Sequence, residues 1–486
     1  MSEQRFLGAF GSAVPTEHYG ELTINGANTA IRLIGQNLTD TSTAKTIYGQ
    51  TTRGKVSCID CISTGAQWTF DGVSKAEQAT IFPHYVTHGN VFFDPETGAI
   101  ASVIFRFTDI DVLFGGAGSV GSFVASPALM ESILMAAKKE SASTAGETPV
   151  VSYYGGQAEV WAIQTAIGRI SVHNVIEFDS QHPFTHRLAM SITFDTPIGF
   201  KETIDRLHQV RQCMTVIAGR AQALDALKLT LHSVNSPGAS GPTRLHLEWC
   251  LSPQGPAKSD FSLRRFALPL DRLRRPDEFS EVLEGWFARD EAWHWPRMRY
   301  VGCIEHGRSY SADRLVAAAN MFDLLPDSVY AAPGALEPDV AEAVAQAKVM
   351  FRRLPGSIDR DGVLNALGRV GKLSLPKKVA QRGDIVLSHL TAKLPSLQTV
   401  LKAAIQCRNH LVHGSDFDIN AVEPFIDLLT DSLEFVFIAS DLIELGWQAA
   451  MWAECTGSGG HRFAEFLDAY GTSIDSFVKA YEGQAS

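Results

Sequence analysis

With 486 residues, 45% hydrophobic and 20% charged, the chain has enough apolar content to bury large cores, and its length predicts two or three domains. This is the composition of an ordinary soluble protein, and a formal net charge of −11 excludes a surface that attracts polyanions everywhere. Seven cysteines, an odd number scattered over a long chain, predict reduced thiols and a cytoplasmic location. The first residues carry no basic start followed by an apolar run, and the most apolar later stretch, LEFVFIASDLIELGW, is broken by Asp441 and Glu444. Neither export nor a membrane span is expected from that pattern.

From residue 18 to 110, short runs of alternating polarity (GELTIN, AIRLIG, KTIYGQTTRGKVSCIDCI, VTHGNVFFDPETGAIASVIFRFTDIDVLF) read as strands and hairpins, with DPETG as a turn. Cys58 and Cys61 form a CxxC, but no second close Cys or His pair completes a zinc set. On one strand their side chains would project to opposite faces, so both are read as structural. Gly116, Gly118 and Gly121 spell GxGxxG; a dinucleotide site would need a helix beginning at the glycines inside a parallel unit. The preceding strand belongs to hairpins and Pro127 interrupts the segment after the glycines, so a loop is expected. His84, His88 and His186 read as packing or surface residues. No cofactor and no metal is expected.

Strands resume at VVSYYGG, AEVWAIQ, GRISVHNVIEFD and HRLAMSITFD, and an amphipathic helix is predicted over Gly199 to Gly219 with Ile204, Leu207, Val210, Met214 and Ile217 on one face. LKLTLHS and RLHLEWCL read as two further strands, and LSPQGPAKSD as the best linker. From Asp277 the apolar period becomes helical to the end, with Ser311, Ser396 and Asn420 as candidate helix starts and Gly356 and Gly414 after helix ends. The expected fold class is therefore α+β: a β-rich region over residues 1–272, then an all-α bundle over residues 273–486.

Two segments place a histidine five positions after an arginine: RDEAWH, Arg289 to His294, and RNHLVH, Arg408 to His413. The first sits in a Trp-rich stretch with Pro296 close behind and reads as packing. The second ends an apolar helix. Wound at about 100° per residue, Leu397, Leu401, Ala404, Ile405, Leu411 and Val412 form one stripe, and Arg408 falls within it. A buried unpaired guanidinium costs several kcal/mol or more, so Arg408 must meet an acceptor or a cleft. Asn409 and His413 share the flank of that stripe, whereas His410 points away. The segment Lys348 to Arg408 carries twelve basic residues against three acids, and Asn409 to Ser486 two against thirteen. A basic stretch leading into Arg408 suits a phosphate backbone, although a solvated helix face would read the same way.

Arg408, Asn409 and His413 are the residue types RNA self-cleavage needs. An imidazole titrating near neutrality can take or return the proton of a 2′-OH attacking the adjacent phosphate, a forked guanidinium can hold that phosphate, and an amide can orient either group. That chemistry requires no metal. On the residues alone, an arginine paired within the bundle and a histidine before a capping glycine stands as an equal reading.

The helical region carrying RNHLVHG resembles a HEPN domain. The N-terminal half, through GELTINGANTAIRLIGQ, TIYGQTTRGKVSCIDCI, FFDPETGAIASVIFRFTDIDVLF and the EGWF of Glu284 to Phe287, resembles the ApeA proteins of bacterial antiphage defence. The resemblance implies an N-terminal domain that senses phage or regulates, and a C-terminal ribonuclease that cleaves RNA, tRNA foremost, in abortive infection. It implies Arg408 and His413 as catalytic and Asn409 as supporting, in a homodimer or higher oligomer with the motif at the subunit interface. The rival reading is a catalytically inactive HEPN-like scaffold with a ligand- or protein-binding β domain; an oxidoreductase using the Gly116 loop ranks third.

Overall fold

The computed structural model describes residues 3–70, 75–115, 120–136, 150–177, 185–232, 242–257, 261–331 and 336–483. An antiparallel β sheet fills the N-terminal part and an all-helical region the C-terminal part, as the alternating and then helical periodicities predict. Two compact units result: residues 1–258 with 271–288, and residues 259–270 with 289–486. The first crossing between them falls inside the predicted linker LSPQGPAKSD.

The strands of the first unit are β1 (Gln4–Gly11), β2 (His18–Ile24), β3 (Ala30–Gly35), β4 (Thr46–Thr51), β5 (Gly54–Ile59), β6 (Ile62–Phe70), β7 (Lys75–Phe82), β8 (Tyr85–Gly89), β9 (Ile100–Phe107), β10 (Val120–Val124), β11 (Val150–Tyr154), β12 (Glu159–Thr165), β13 (Gly168–Glu177), β14 (Thr185–Ile198), β15 (Leu224–Leu231) and β16 (Arg244–Trp249). Among the described residues, fourteen of them form one sheet in the order β12-β13-β14-β9-β15-β16-β8-β5-β4-β1-β2-β3-β7-β6, and β10 pairs with β11. Its helices are α1 (Thr39–Thr43), α2 (Ile110–Phe114), α3 (Pro127–Ala136), α4 (Phe200–Ala218) and α5 (Pro276–Ala288). Alternation sends Phe6, Phe10, Leu22, Ile31, Leu33, Ile47 and Val56 into one core. Helix α4 starts after Gly199 and ends at a left-handed Gly219, and all five predicted apolar positions are buried. Each such side chain contributes about 1.5–3 kcal/mol.

Four local expectations change. DPETG does turn, with Asp94 accepting from the Glu96 amide and the Thr97 hydroxyl, but it closes no hairpin. β8 pairs with β5 and β16, and β9 with β14 and β15, so the turn joins non-adjacent strands. The end of that run, Ile110–Phe114, is helix α2. Strand β5 stops at Ile59, and Asp60 has φ +52°, which turns Cys61 into the same core as Cys58 instead of onto the opposite face. Burial pushes the Cys61 thiol up to about 12 and the Cys58 thiol well above its ordinary value, so both stay protonated. Of the GxGxxG glycines, Gly116 and Gly118 lie outside the described residues, and Gly121 is in β10, a strand where a dinucleotide loop needs a helix start. The three histidines pack: His84 stacks on Tyr85 at 4.4 Å, His88 on His246 at 4.8 Å, and His186 bonds to Asn174.

Periodicity groups α5 with the helices after it, whereas compactness groups it with the sheet. Phe279 meets Trp161 of β12 at 5.4 Å and Phe114 of α2 at 5.7 Å.

The second unit contains α6 (Asp290–Glu305), α7 (Ala312–Asp323), α8 (Pro338–Arg352), α9 (Ile358–Arg369), α10 (Leu375–Leu390), α11 (Leu397–His413), α12 (Ile426–Glu444), α13 (Ala449–Cys455) and α14 (Arg462–Glu482). Helix α12 is its axis: Leu429, Leu433, Val436 and Phe437 are buried, and the Phe437 ring lies about 6 Å from Trp293, Tyr300 and Phe322. Residues 259–270 belong here because Pro269 and Ala267 carbonyls accept from the indoles of Trp447 and Trp452 at 2.8 and 3.1 Å. Ser311 caps α7 as predicted. Ser396 precedes α11 in a left-handed conformation with no side-chain bond, and α12 begins after Phe425, so Asn420 caps nothing. No helix among the described residues is long and apolar enough to cross a membrane.

Candidate active site

Helix α11 is wedged between α7, α10 and α12 by Leu397, Val400, Leu401, Ala404 and Ile405, all buried. Close approach to α10 depends on Gly383, where a Cβ would lie 2.7 Å from Leu401 Cδ1. Burial stops at Cys407. Leu411 and Val412 are 38% and 44% exposed, so the apolar stripe predicted through Arg408 emerges at the surface in its last turn. Gly414, at φ +64°, ends the helix with its N–H on the His410 carbonyl at 2.9 Å.

The three predicted site residues meet at this end. Arg408 Nη1 donates to Asn409 Oδ1 at 3.1 Å and lies 3.1 Å from His413 Nε2. A guanidinium only donates, so Nε2 is the unprotonated imidazole nitrogen in this arrangement. His413 itself is exposed, and Arg408 and Asn409 are half-buried. His410 is apart from the group, its Nδ1 2.7 Å from the Ser415 carbonyl oxygen.

A fourth residue, missed from sequence, completes the cluster. Asn320 on α7 accepts from Arg408 Nη2 at 3.0 Å. The available signal was an amide near the end of the otherwise apolar run LVAAANMF, but only the α7–α11 contact gives it a partner. The contacts take three of the five guanidinium donors, and Nε is buried with no acceptor. Besides the buried Nε, one Nη2 hydrogen is left to donate to an anion.

The other arginine–histidine pair is built differently. Arg289 precedes α6 and donates to the Asp441 carbonyl at 2.7 Å, to the Asp441 carboxylate, and to Glu444 at 3.3 Å. Arg297 and Arg382 share those two acids, and all three guanidiniums lie 4.2–5.5 Å from the Trp293 ring centroid. His294 faces Asp290 at 3.5 Å, not Arg289. This pair borders an ionic cluster whose buried members are Asp290, Arg297, Arg382 and Asp441, so the segment packs, as read from its Trp-rich surroundings. Among the described residues no cluster of His, Cys, Asp and Glu could hold a metal ion.

The family described as ApeA N-terminal domain 1 matches residues 15–286, ending two residues short of the first unit's last residue, Ala288. The match thus takes in every strand of the sheet except β1, with most of α5, and stops before α6 and Arg408. No curated protein and no solved structure matches the chain. Because the match spans more than half of the sequence, the chain belongs to the ApeA family of antiphage proteins.

Proposed function

We propose that the helical unit is a HEPN-type endoribonuclease that acts on RNA, tRNA foremost, with the ApeA unit sensing phage or regulating the cut. One observation carries the reading: Arg408 reaches both Asn409 and His413 at the surface end of α11, whereas the competing Arg289 is taken up by the buried Asp441 and the more exposed Glu444. His413 removes the proton of a ribose 2′-OH as that oxygen attacks the neighbouring phosphorus. The 5′-oxygen leaves with a proton from an imidazolium, giving a 2′,3′-cyclic phosphate and a 5′-hydroxyl. Arg408 binds the non-bridging oxygens and stabilises the added charge of the transition state. Asn409 holds the guanidinium through its Oδ1. The exposed Leu411 and Val412 support a subunit contact at this end, which would bring a second Arg408 and His413 to one phosphate and make the assembly a homodimer or larger.

Purified protein incubated with total tRNA, with and without a chelator, tests this. Cleavage that survives chelation, leaves cyclic phosphate ends and vanishes in His413→Ala is expected. Intact tRNA under all conditions would instead favour a silent scaffold, the reading supported by the three internal hydrogen bonds that occupy Arg408.

A further inference from the structure

We infer that the outward face of α8 docks antiparallel on the same face of a second copy of this chain. Neither α8 nor α9 contains a buried residue. They lean on each other, with Val344, Ala347 and Phe351 of α8 and Val363, Leu364 and Leu367 of α9 half-buried. A helix of this length is marginal in water unless a packed face supports it.

At about 100° per residue, Glu342, Ala345, Gln346, Val349, Met350 and Arg353 share a stripe diametrically opposite that seam. Val349 and Met350 are 49% and 58% exposed, and with Ala345 and Leu354 they line an open apolar groove. Acid stands at one end of the stripe and base at the other. A two-fold axis through the point between Ala347 and Lys348 pairs Glu342 with Arg353, Ala345 with Met350, and Gln346 with Val349, each twice. Opposite charges then meet at both ends, and Met350 faces the small Ala345 on either side of the central Gln346 and Val349 pairs. Parallel docking would set Glu342 against Glu342 and Arg353 against Arg353, so charge selects the antiparallel arrangement. The same stripe suits a nucleic acid poorly, since exposed Val349 and Met350 and the acid Glu342 have nothing to offer a phosphate. Fifteen residues give a helix about 22 Å long, whose single face is smaller than a standard stable interface, so the association is weak and reversible. None of these contacts draws on the Arg408 chemistry.

Sedimentation of the full chain over a range of concentrations, with helix content followed by circular dichroism, reads the result. Self-association is expected, weakened at least tenfold by Glu342→Arg or by Arg353→Glu, recovered in the double exchange, and reduced by salt. As an independent readout, Gln346→Cys combined with Val349→Cys should cross-link into covalent dimers with a short bismaleimide. The parent, whose exposed cysteine is Cys455, should not. A chain that stays monomeric, a double exchange that recovers nothing, or absent cross-linking overturns the proposal. So does an Arg353→Glu variant that loses tRNA binding with its mass unchanged. His413→Ala should leave the response of association to the Glu342 and Arg353 exchanges unaltered, which keeps this outcome separate from that of the nuclease reading.

Discussion

Arg408 and Arg289 are the same side chain under different obligations. Around Arg408 the acceptors are neutral: two amide oxygens and an imidazole nitrogen. Around Arg289 they are carboxylates in a site where burial brings the guanidinium down to about 10. Removing each should therefore separate catalysis from stability. Arg408→Ala is predicted to abolish tRNA cleavage with little change in thermal unfolding. Arg289→Ala should leave residual specific activity while lowering stability by about 1–3 kcal/mol, because Arg297 and Arg382 still neutralise Asp441 and Glu444. Equal losses of activity in soluble, folded forms of both variants would remove the distinction. Asn320→Ala should reduce kcat roughly tenfold to a hundredfold, since it frees Nη2 and loosens the guanidinium proposed to hold the phosphate, as imprecise positioning does. If Asn320→Ala cleaves at the parental rate, the amide only fills space.

Helix α11 is held where it is by its first three turns, while the Arg408, Asn409 and His413 cluster sits toward its end. Gly383 admits Leu401 at the α10 crossing, and a methyl group there would have to displace a buried side chain. Gly383→Ala is expected to cost about 1–3 kcal/mol, read by denaturant midpoint, and to lower cleavage through displacement of the helix. An unchanged midpoint would show that Leu401 yields freely. Helix α12 illustrates the opposite balance. Asp441 and Glu444 looked like interruptions of an apolar run, but they are the acceptors that let three arginines enter the core around Trp293.

Across the whole molecule, the chain passes between its units more than once. Residues 259–270 enter the helical unit before 271–288 rejoin the sheet unit. A truncated chain starting at Arg289 keeps every helix from α6 onward but loses the Pro269 and Ala267 carbonyls that accept from Trp447 and Trp452. Each orphaned buried indole N–H costs about 1–3 kcal/mol. The fragment from Arg289 should therefore be markedly less stable than one starting at Ser259, by thermal unfolding. Comparable melting would mean that the strap contributes little.

Whatever rests on local period, or on chemistry within one helix, was legible in the amino acids alone. That covers the α+β order, the α4 face with both its end glycines, the linker before Ser259, and the meeting of Arg408, Asn409 and His413, whose spacing brings them together over the last turns of a helix. Distant partners settled the remainder. Asn320 joins Arg408 across 88 positions, DPETG joins strands that do not pair, Asp60 folds both cysteines into one core, and α5 sides with the sheet. Periodicity says which face of an element is apolar and leaves open which other element covers it; packing supplies that answer.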